Sequence, residues 1–140
     1  MAELMSDDKS LSPELKEAAD SVIIETRSEY LDEQSRPQAG QYVFAYTIRI
    51  ENRGTNPVQL LDRHWHIIDT KDRVQEVQGV GVVGKQPTIE PEQTFQYTSG
   101  AVLESDAGTM SGSYRFRDAT LGEFSKTVPT FALVRPQALH

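Results

Sequence analysis

From Tyr42 to Ile50 every second residue is large and apolar: Tyr42, Phe44, Tyr46, Ile48 and Ile50. A repeat of two places those side chains on one face of an extended strand, and it cannot follow one side of a helix, whose repeat is about 3.6. This run commits the chain to half-buried β-sheet, and the period recurs on both sides of it. Val22, Ile24, Thr26, Ser28 and Tyr30 share a face in a preceding strand. After the dense turn signal Asn52-Arg53-Gly54-Thr55-Asn56-Pro57, Leu61, Trp65 and Ile67 share one within 58–69. A short segment at 73–78 reads as an edge. Phe95 and Tyr97 mark a strand over 94–103, and Met110, Gly112, Tyr114 and Phe116 mark one over 110–116. The last strand runs from Phe124 to Val134 around Pro129. Proline cannot donate to a ladder, so this strand is an edge or switches sheets at a bulge there.

About seven to eight strands, with no strong helical period after residue 20, predict an all-β fold: an antiparallel sandwich of immunoglobulin-like or fibronectin type III-like form. Trp65, facing inward on the third strand, fits such a core. A chain of 140 residues makes one domain large enough to fold without a metal or disulfide. It has no cysteine, which excludes a disulfide framework, a thiolate metal site and a cysteine nucleophile. The sandwich is expected over 21–135, with a tail at 136–140 and a short acidic arm at 1–20. Within the arm, Ser12 as N-cap and Pro13 in the first helical position would start a short helix over Pro13–Ala19, the alternative being a disordered arm. So short a helix is marginal in water unless it docks.

The net charge of -7 is mostly local. Residues 1–20 carry six acids against two bases, and the remaining 120 carry 15 acids against 12 bases. The body is nearly balanced and has no basic stripe for a phosphate backbone, so no nucleic-acid partner is expected. No apolar run approaches the roughly 18 residues of a membrane span. The first residues lack a basic start followed by an apolar stretch, and the expectation is a cytoplasmic protein without a membrane partner.

Gly79-Val80-Gly81-Val82-Val83-Gly84 spells G-x-G-x-x-G, the pattern of a dinucleotide-binding turn. That turn needs a helix at its exit, so that N-terminal amides face the phosphates. Val82 and Val83 are β-branched and Pro87 follows closely, so a helix of useful length cannot start here. Glu104 stands where a ribose ligand would fall, but no helix separates it from the glycines. The plainer reading is a loop or bulged strand needing positive φ or close backbone approach. A third is an exposed edge, apolar but without bulk, that accepts a partner strand. Gly79, Val80, Gly81, Val82, Val83 and Gly84 are therefore the partner-binding candidates.

Asp62, His64 and His66 fall at alternate positions on the strand face opposite Trp65. Two imidazoles and a carboxylate on one side are a candidate weak divalent-metal site, and a solvated strand face is the plainer alternative. The third histidine is His140. No G-x-S-x-G elbow and no complete P-loop occurs. Ser99 ends a strand, and nothing in the spacing pairs it with His64 or His66. Glu25, Arg27 and Glu29 alternate on an outer face and keep a strand in water. No catalytic residue and no resident cofactor is expected. A nucleotide- or pyrophosphate-binding enzyme at the glycine loop is the less favoured alternative.

Residues 58–87, VQLLDRHWHIIDTKDRVQEVQGVGVVGKQP, resemble the signature region of the ApaG domain. YVFAYTIRIENRG (42–54), FQYTSGAVLES (95–105), GTMSGSYRF (108–116) and VPTFAL (128–133) agree in order, so the resemblance spans about residues 21–135. It implies a fibronectin- or immunoglobulin-like sandwich. Similar domains stand alone in bacteria and are fused in F-box ubiquitin-ligase subunits and a polymerase-delta-interacting protein. That distribution implies a non-enzymatic protein-interaction module, with bacterial members linked by name to cobalt resistance and magnesium efflux. One departure is Pro91-Glu92-Gln93, where similar domains carry Pro-Gly-Glu. If that glycine needs positive φ, Glu92 must adopt a costlier turn or a different one.

Overall fold

The computed structural model describes residues 11–136. Among these residues one helix, α1 (Pro13–Asp20), precedes eight strands: β1 (Val22–Tyr30), β2 (Tyr42–Asn52), β3 (Val58–Asp69), β4 (Val74–Val80), β5 (Thr88–Ile89), β6 (Thr94–Leu103), β7 (Ala107–Asp118) and β8 (Gly122–Val134). Two 3₁₀ turns at Asp32–Gln34 and Pro37–Ala39 lead from β1 to β2. Every pairing is antiparallel. One sheet has the order β1-β2-β6, and the other runs β4-β3-β7-β8 with β5 also on β3. The alternation in β2 produces the expected result: Phe44, Tyr46, Ile48 and Ile50 are buried.

Between the sheets, Trp65 is 1 % exposed. It makes edge contacts with Tyr46, Tyr114 and Phe131 at centroid separations of 5.7, 5.7 and 6.0 Å. Edge-to-face aromatic pairs add about 0.5–1.5 kcal/mol each beyond their buried area. They draw on both sheets and fix how the sandwich stacks.

A register shift between Leu60 and Asp62 marks a bulge at Leu61. Both Leu60 and Leu61 are buried as a result, and the inward set changes from even to odd positions along β3. Leu61, Trp65 and Ile67 are all buried as the alternation requires, and the bulge brings Leu60 into the core as well. A second shift opposite Ser111 falls at Pro129 and Thr130 on β8, the edge strand of its sheet. Proline thus stands where no ladder bond is needed. Beyond it β8 turns toward β1, and the Ser28 hydroxyl donates to the Ala132 carbonyl at 2.7 Å.

The helix forms as its caps predict, with the Ser12 Oγ accepting from the Leu15 amide at 3.1 Å. It docks: Leu15 and Ala19 are buried with the core, and Lys126 of β8 donates to the Ala19 carbonyl at 2.9 Å. The remainder of the expected arm, 1–10, and all but the first residue of the tail lie outside the described residues. Among the described residues no helix is long and apolar enough to cross a membrane.

Candidate functional site

The glycine segment closes the β4 side of the second sheet. Gly79 and Val80 end β4, and the chain then turns back on itself. Val82 and Lys85 exchange amide–carbonyl bonds at 2.8 and 2.9 Å, while Val83 and Gly84 have φ of 43° and 79°. Two central residues at positive φ between paired neighbours make a type I′ hairpin turn. No helix follows. The amides that a phosphate cradle would need are already committed: Gly81 donates to Leu61, Val82 to Lys85, and Lys85 to Val82. Lys85 after Gly84 brings the segment within one residue of a P-loop, with Gln86 in place of the hydroxyl residue. The same hairpin removes that reading, because P-loop chemistry also rests on free amides at a helix start.

Each glycine has a local cause. At Gly81, φ is +66° and an added Cβ would lie 2.2 Å from the Lys85 carbonyl oxygen. At Gly79 an added Cβ would meet the Arg63 guanidinium at 2.7 Å. Arg63, shifted to the inward register by the bulge, reaches across and donates to the Gly81 carbonyl at 2.7 Å. It thereby holds the loop to β3. Arg63 was not a sequence candidate: it shares the parity of Leu61, Trp65 and Ile67, but nothing along the chain shows the Gly81 carbonyl that it meets.

The six partner-binding candidates divide by burial. Val82 is fully buried, 0 % exposed, and belongs to the core, whereas Val80 and Val83 are 73 % and 53 % exposed. Every residue of β4 but Gly79 is exposed, and Val74 and Val77 extend the apolar series along it. Gln75 on β4 donates to the Val102 carbonyl of β6 at 2.8 Å, so this edge runs beside the first sheet.

On the outer face of the same sheet, His64 and His66 emerge from β3 opposite Gln78 and Glu76 of β4. The Glu76 Oε2 lies 2.5 Å from the His64 Nε2 and 3.6 Å from the His66 Nε2. The hydrogen bond from His64 holds the Glu76 carboxyl below the usual range. Burial opposes this, and the charges of both histidines add smaller contributions in the same direction as the hydrogen bond. Asp62, the carboxylate expected beside the histidines, is engaged elsewhere: the Arg115 Nη2 donates to its Oδ2 at 2.6 Å. Arg115 also bonds Glu123, which in turn accepts from Arg117. Glu76 thus takes the place expected of Asp62. It lay beyond sequence reasoning because cross-strand register, not spacing along the chain, brings it there.

Fold and site define an antiparallel two-sheet sandwich with a glycine hairpin clamped by an inward arginine at one edge. Comparison with known proteins gives the family. The ApaG domain model matches residues 32–118. Protein ApaG of Thiobacillus denitrificans is 51 % identical over 117 residues, covering 84 % of this chain and 92 % of that one. Protein ApaG of Maricaulis maris is 50 % identical over 115 residues, covering 82 % and 88 %. The crystal structure of a Bordetella pertussis protein described as ApaA superposes with a TM-score of 0.80 at 44 % identity, covering 84 % of this chain and 95 % of that one. The chain belongs to the ApaG domain family.

Proposed function

We propose that this chain is a protein-interaction module that accepts an extended partner segment as an added strand along β4. The carrying observation is that edge. Among the described residues β4 pairs on one side only, with β3, and Val74, Val77 and Val80 stand exposed along it. Sheet edges are normally blunted by lysine, proline or a bulge. β4 has none of these, and its one charge is Glu76. Main-chain bonds to the free side would supply affinity, and the valines would supply selectivity, Val74 and Val80 on one face of β4 and Val77 on the other. Val83, at the tip of the glycine hairpin, continues the apolar line.

A photo-crosslinking residue placed at Val77 tests the reading, with one at Arg27 on β1 as control. Partner segments should be trapped at Val77, and a Val74→Lys/Val80→Lys variant should lose them while keeping its far-ultraviolet spectrum. Crosslinks confined to Arg27, or capture unchanged by the lysines, would remove β4 as the docking edge. Crosslinks between two copies of the chain would make the partner a second copy.

A further inference from the structure

We propose that His64, His66 and Glu76 form a site for a late first-row divalent cation, zinc being the type case, that ties the edge strand β4 to β3. The site differs from the peptide edge and does not depend on it.

Geometry carries the argument. The three donor atoms all lie within 4.8 Å of one another. Metal–ligand distances of about 2.0–2.2 Å separate neighbouring ligands of a tetrahedral ion by about 3.3–3.5 Å. The Glu76 oxygen is 2.5 and 3.6 Å from the two imidazole nitrogens, so small side-chain rotations open a space of that size. The backbone beneath is fixed. β3 lies between β4 and β7, and Trp65, between the two histidines in sequence, is locked in the core at 1 % exposure. Ligands carried by rigid strands hold their geometry better than ligands on loops.

The donor set selects the ion. Two neutral imidazoles and one carboxylate suit zinc, nickel or copper, whereas magnesium and calcium require oxygen ligands. The side chains are 35 %, 44 % and 52 % exposed, which leaves outward positions for water or a fourth ligand. His64 Nε2 also lies 3.2 Å from Gln78 Nε2. One ring nitrogen cannot both donate to Glu76 and accept from Gln78, and a cation uses its lone pair without that conflict. Arg115 does not repel the ion unopposed, because Asp62 and Glu123 neutralise it.

Calorimetry of the full chain with zinc alone, and with magnesium alone, decides the matter. Expected are one equivalent of zinc bound at micromolar or tighter affinity and no heat from magnesium. His64→Ala or Glu76→Gln should weaken zinc by more than about tenfold. Asp62→Asn and His140→Ala should leave it unchanged. Amide exchange in β4 should slow on zinc addition, since Glu76 is then clamped to β3. Zinc affinity weaker than millimolar, or binding that survives His64→Ala/His66→Ala, would overturn the site. Loss of binding in Asp62→Asn would overturn the assignment of Glu76. Peptide capture by β4 is a separate readout, so failure of one reading leaves the other standing.

Discussion

Gly81 and Val83 are two residues apart and have opposite consequences for stability. At Gly81 a methyl group would meet both a left-handed backbone and the Lys85 carbonyl, and the chain cannot relax away from its own hairpin. Gly81→Ala should cost about 2–4 kcal/mol in urea unfolding. Val83 is a β-branched residue at φ 43°, a conformation that costs about 1–2 kcal/mol. Asn-Gly is the preferred pair for this turn, so Val83→Asn should stabilise by about 1 kcal/mol. Strain of this kind persists where the surroundings hold it, often at working surfaces. A Val83→Asn chain that gains stability but loses partner capture would tie the strain to binding. Glu92 poses the same question at another turn. Its φ is 69°, and Gln93 donates to the Glu90 carbonyl at 3.0 Å across Pro91, the arrangement of a type II turn. The turn is thus kept despite the missing glycine. Glu92→Gly should stabilise by about 0.5–1 kcal/mol, the left-handed penalty less the entropy glycine brings to the unfolded chain, and raise the melting temperature by about 2–4 °C. Glu92 was legible as a strained position because a glycine was expected there. Val83 was not, because nothing in valine encodes a turn that its neighbours close.

At the level of elements, what was readable depended on whether the signal was local. The caps of α1 lie within three residues of its start, so the helix could be placed from sequence. Its docking could not, because Lys126, whose ammonium donates to the Ala19 carbonyl, is 107 positions away. The eight-residue helix is too short to persist alone, and the burial of Leu15 and Ala19 supplies what propensity does not. Leu15→Ala should therefore cost about 2 kcal/mol. Amide exchange should show protection lost first in α1 while β2 and β3 stay slow. Uniform loss across the sandwich would mean instead that the helix is needed for the sheets to form. Strand periodicity was equally legible in β2, where five alternating residues leave no second parity. In β3 it placed Leu61, Trp65 and Ile67 on the inward face, but the bulge that buries Leu60 as well has no local signal. The contact of Arg63 with Gly81 and the register that brings Glu76 beside the histidines are likewise cross-strand relations without a local signal.

Across the whole molecule the two sheets are joined at a polar point as well as by aromatic packing. The Tyr97 hydroxyl of β6 meets the Tyr114 hydroxyl of β7 at 2.5 Å inside the sandwich. Burial pushes both phenols far above their ordinary value of 10.0; each hydroxyl influences the other, but desolvation dominates. In the unfolded chain both titrate near 10.0, so above that pH the unfolded state binds fewer protons than the native one. Stability from this pair is complete below pH 10 and is lost as pH rises toward the folded values. Phenolate absorbance should then show Tyr97 and Tyr114, two of the five tyrosines, silent until the far-ultraviolet signal collapses. Tyr114→Phe alone leaves the Tyr97 hydroxyl buried without its partner and should cost about 1–3 kcal/mol at neutral pH. Tyr97→Phe/Tyr114→Phe removes both hydroxyls and should flatten the alkaline loss, moving the unfolding midpoint to higher pH. If all five tyrosines ionise while the sheets remain intact, water reaches the centre of the sandwich and the pair does not seal it.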